Sequence, residues 1–81
     1  MNRLKLELNI YREIIKSMII IMESLQTLLK TQKEKINTLE IPHEAKESLI
    51  DRIDLQLNLI DSELWKYAEL LEKLGGWFNE I

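Results

Sequence analysis

In the second half of the chain apolar residues recur at Ile50, Ile53, Leu57, Ile60, Leu64, Tyr67, Leu71 and Leu74, in alternating steps of three and four. That spacing keeps one stripe on a helix of 3.6 residues per turn, and it predicts a long amphipathic helix over about 42–74. The first half carries the same rhythm at Leu4, Leu8, Tyr11, Ile15, Met18, Met22, Leu25, Leu29 and Ile36, which predicts helix over about 2–38. Written as heptads, Leu4, Tyr11, Met18, Leu25, Gln32 and Leu39 share one core position. Leu8, Ile15, Met22, Leu29 and Ile36, with Ile14, Ile21 and Leu28, widen this face well beyond a coiled-coil seam. Leu4, Leu6, Leu8 and Ile10 also alternate with polar residues, as in a strand, but no second strand is predicted for them to pair with, so helix is the reading.

Between the two stripes lies Leu39-Glu40-Ile41-Pro42. Proline lacks an amide proton and biases the preceding residue to an extended conformation, so it ends the first helix and suits the first position of the second. A link this short, here 39–42, makes the helices antiparallel neighbours. The fold class expected is therefore all-α, a single antiparallel two-helix hairpin in which residues whose numbers sum to about 81 lie side by side. Gly75-Gly76 is expected to stop the second helix, because tandem glycine is poor in a helix and good just beyond one. The remaining tail, 75–81, carries Trp77, Phe78 and Ile81. It is expected to fold over the open end of the hairpin beside Leu4, Leu6 and Leu8, with a docking peptide for a partner as the alternative.

The two halves differ in charge. Residues 1–38 hold seven Lys and Arg against four acids, and residues 39–81 hold four against ten. A basic helix beside an acidic one gains electrostatic complementarity, within a chain or between chains. The chain has 81 residues, too few for more than one domain, and no cysteine, which excludes disulfides, thiolate catalysis and cysteine-based zinc sites. Its longest apolar run, Met18–Met22, is far short of the ~20 residues a membrane span requires. With no signal-peptide pattern either, a soluble cytoplasmic protein that does not enter membranes is expected.

A second set of apolar residues points away from the main stripes: Ile19 and Ile20 on the first helix, Leu55, Leu59 and Trp65 on the second. The pairing rule sets them near mid-length, on faces a lone hairpin cannot bury, and soluble monomers rarely expose such a patch. Self-association is the expected consequence: a homodimer of hairpins forming a four-helix bundle, with a different protein as the competing occupant of the patch.

Chemistry is sparse. Glu40-x-x-His43 has the spacing of the ligand element of di-iron bundles, but it spans the Pro turn instead of lying inside a core helix, so His43 is read as a solvated turn residue. Glu44, Glu47, Asp51, Asp54 and Asp61 lie on one helix, whereas Mg²⁺ sites of helical pyrophosphohydrolases need pairs on two. Ser17, Ser24, Ser48 and Ser62 have no nucleophile elbow, and no Gly-rich phosphate cradle is present. No catalytic residue, cofactor or metal is expected. The function these residues suggest is a non-enzymatic protein–protein interaction module, such as an adaptor, small chaperone or inhibitor. The alternative is RNA binding, by analogy with hairpin dimers of the Rop type, through Lys5, Arg12, Lys16, Lys30 and Lys33 on a common outer face of the first helix. Net acidity of the whole chain makes nucleic acid the weaker partner.

Overall fold

A computed structural model describes residues 3–80 and shows two α-helices, α1 (Arg3–Thr38) and α2 (His43–Glu80), packed against each other. Among the described residues there is no strand, so the alternating segment at the start is helical. The hairpin is a slender rod, with Cα extents of 63 × 15 × 11 Å.

At the turn, the amide of Leu39 donates to the Ile36 carbonyl at 3.1 Å, tightening the last turn of α1, and the amides of Ala45 and Lys46 donate to the Pro42 carbonyl. Pro42 therefore starts the hydrogen-bond ladder of α2, as its position in the sequence predicts. Lys46 Nζ donates to the Asn37 carbonyl at 3.3 Å, putting a cation on the electronegative end of α1. Glu44 in the first turn of α2 complements the other pole.

Two expectations need correction. Side-chain pairs across the hairpin, Lys33 with Asp54 and Gln26 with Asp61, have residue numbers that add to 87, not 81. The non-helical link 39–42 accounts for the offset. Ile41 before Pro42 is biased to extended backbone, which rises about 3.3 Å per residue against about 1.5 Å in a helix. The link runs past the end of α1, so α2 starts further out than a flat turn would place it.

The second correction is at Gly75-Gly76, where α2 does not stop but continues to Glu80. Two glycines disfavour helix by about 1 kcal/mol each relative to alanine. The contacts either side of them win: Leu74 is fully buried, and Phe78, four residues on, lies under the Arg12 guanidinium, 5.3 Å from ring centroid to Cζ. Residues 75–80 are thus the last helical turns, while Ile81 lies outside the described residues. Neither glycine has positive φ, and a Cβ at either meets nothing within 4 Å. Gly75→Ala and Gly76→Ala are therefore each expected to raise stability by roughly 0.5–1 kcal/mol, read as a higher thermal midpoint in circular dichroism.

Candidate interaction surface

The seam between the helices follows from which residues lose solvent. On α1 these are Leu8, Arg12, Ile15, Ile19, Met22, Gln26, Leu29, Lys33 and Ile36, with Met18 half-buried at the edge; on α2 they are Ile50, Ile53, Leu57, Ile60, Leu64, Tyr67, Leu71, Leu74 and Phe78, with Lys46, Asp54 and Leu70 half-buried at the edges. Both sets alternate steps of three and four, the pattern of a two-stranded coiled coil. The α2 stripe is the one the sequence predicts. On α1 only half of the expected stripe faces α2: Leu8, Ile15, Met22, Leu29 and Ile36 do, whereas Leu4, Tyr11 and Leu25 stay 40–52% exposed.

The alternate seam positions of α1 are largely polar, and each polar group meets a matching group on α2. Arg12 covers Phe78, Gln26 donates to the Asp61 carboxylate, and Lys33 Nζ donates to Asp54 at 2.6 Å. Arg12 also donates from Nη2 to Asn9 at 2.7 Å. Lys33 and Asp54 remain more than a third exposed, so this pair fixes register and contributes at most about 1 kcal/mol.

Helical phase then gives the hairpin two unlike broad sides. One carries Lys16, Glu23 and Lys30 of α1 beside Asp54 and Asp61 of α2. The other carries Tyr11, Met18 and Leu25 of α1. On that second side Leu25, Leu29, Gln56, Leu59 and Ile60 line one shallow hollow, and Leu4, Leu8, Trp77 and Glu80 line another near the open end. Trp77 thus lies beside Leu4 and Leu8, where the tail was expected, although as part of a helix.

The five residues expected to form a mid-length patch separate. Ile19 is half-buried in the seam. Ile20 and Trp65, 63% and 72% exposed, belong by phase to the charged side; Leu59 belongs to the apolar side, and Leu55 to the back of α2. The basic residues separate as well. Arg12 and Lys33 face α2, Lys16 is 3.7 Å from Glu13, and Lys5 and Lys30 are exposed. His43 is exposed beside Glu47 at the turn. Among the described residues no three acidic or histidine side chains converge, and no helix is long and apolar enough to cross a membrane.

Missed by periodicity alone was the division of α1 into two stripes with different partners. The signal was present in the acidic and aromatic residues of α2 at matching levels. No protein-family model matches the chain, and no curated protein or solved structure is significantly similar to it.

Proposed function

We propose that this protein is a non-enzymatic interaction module: a helical hairpin that associates with itself into a four-helix bundle and acts through protein–protein contacts. One observation carries the reading. Only Ile15, Ile53 and Leu74 are buried among the hydrophobic residues described, whereas fifteen large hydrophobic side chains are exposed. A soluble chain that leaves so much apolar surface open gains by covering it with protein. An RNA-binding role has less support, because Arg12 and Lys33 are engaged by α2 and the acids of α2 share the side that carries Lys16 and Lys30.

Native mass by light scattering over a dilution series tests the proposal. The expected result is twice the 9.7 kDa chain mass down to low micromolar concentration. A chain that stays monomeric and well behaved at every concentration would overturn self-association.

A further inference from the structure

A second stripe runs along α1 about a quarter turn from the seam: Tyr11, Ile14, Met18, Ile21, Leu25 and Leu28. Its steps are three and four throughout, and every member is apolar, so it is more apolar than the seam that α2 covers. Tyr11, Ile14, Ile21, Leu25 and Leu28 are 40–59% exposed. The stripe is continuous over nearly five turns and uninterrupted by charge.

Its order is also self-complementary. Tyr11 and Leu28, Ile14 and Leu25, and Met18 and Ile21 are pairs whose numbers add to 39, so the stripe is centred close to the midpoint of α1 (Arg3–Thr38). Laid antiparallel on its own copy, every apolar member meets an apolar member. Just beyond its ends the same face carries Glu7 and Lys35; in this register Lys35 is level with the partner's Leu4 and Glu7 with the partner's Gln32, so each charge lies within one helical turn of the opposite charge on the partner. A parallel pairing would set like charges on each other and align the helix dipoles.

The flank of the stripe is ready to be covered. Ser17, Ser24 and Thr31 lie along it, and each hydroxyl already donates to a carbonyl four residues back, at 2.9–3.0 Å. Covering them leaves no donor unmet. Area agrees: a compact monomer of this mass exposes about 5,100 Å² by the usual size scaling, whereas this rod exposes 6350 Å². The excess exceeds the ~800 Å² that each partner contributes to a standard interface.

From these observations, and resting on the self-association proposed above, we infer that the occupant of this face is the α1 stripe of a second copy, packed antiparallel about a twofold axis near residues 19–20. The two turns then lie at opposite ends of the bundle. Ile20, adjacent in sequence to Ile21, faces the other side and takes no part.

The chain has no cysteine, so single-cysteine variants report contacts directly. Met18→Cys and Ile21→Cys chains, mixed and mildly oxidised, are expected to give the mixed disulfide as the main cross-linked product, while Lys30→Cys on the opposite side gives little. In parallel, Ile21→Glu sets two carboxylates beside the twofold axis and is expected to weaken the dimer by about 100-fold or more, with Ile20→Glu keeping the wild-type mass. A wild-type dimer that shows neither the mixed disulfide nor sensitivity to Ile21→Glu overturns this geometry and leaves self-association standing. A wild-type monomer overturns both.

Discussion

Ile15→Ala is expected to destabilise the hairpin by about 3 kcal/mol, enough to lower its thermal midpoint by roughly 10–20 °C. Ile15 is 2% exposed and sits where α1 presses on α2, so truncation both removes buried methyl groups and leaves a space that two straight helices cannot collapse to fill. In a globular domain many core residues share such a loss. Here buried hydrophobic side chains are Ile15, Ile53 and Leu74 among those described, so one of them is a large fraction of the total. A chain of this length has a stability of about 4–12 kcal/mol, and a rod with so narrow a core belongs at the lower end. Ile20→Ala is the control: at 63% exposure it is expected to change stability by less than about 0.5 kcal/mol. Melting followed by far-ultraviolet circular dichroism separates the two. Equal midpoints for both variants would mean that the seam is not where the stability resides.

The contrast between Ile15 and Ile20 also shows how far the sequence could be read. Both helices, the turn at Pro42 and the whole α2 stripe follow from spacing alone, because each is a property of one segment and its local chemistry. The α1 seam is not such a property. Tyr11, Met18 and Leu25 form the more apolar repeat, and periodicity prefers them to Arg12, Gln26 and Lys33. What reverses the preference is pairing: Phe78, Asp61 and Asp54 stand at the right levels of α2 to contact those three polar side chains, and their levels are known only once the offset introduced by the link is known. Gly75-Gly76 misleads for a related reason. Their helix propensity is poor, but Leu74 and Phe78 on either side hold the last turns against α1. The surface candidates inherit the same limit, since separating Ile20 and Trp65 from Leu59 requires the seam's phase, not only its period.

If the second stripe of α1 is closed by another copy, folding and association are linked, and the thermal midpoint must rise with protein concentration. A tenfold increase adds about 1.4 kcal/mol per dimer, or about 0.7 kcal/mol per chain, which corresponds to roughly 3–5 °C for a chain of this size. Over a thousandfold range the expected rise is therefore about 10–15 °C. The stripe is apolar and only its ends carry charge, so moderate salt is expected to change the slope little, whereas an interface built on the Lys16 and Lys30 side would weaken as salt screens it. Ile21→Glu is expected to abolish the concentration dependence and leave a low, constant midpoint. Gly75→Ala with Gly76→Ala raises the midpoint but preserves the slope, because those positions stabilise α2 without touching the stripe. Midpoints measured at several concentrations for the wild type and these variants decide the matter. A wild-type midpoint that stays constant would mean that the hairpin stands alone with its apolar side open, and that the side is reserved for a different protein.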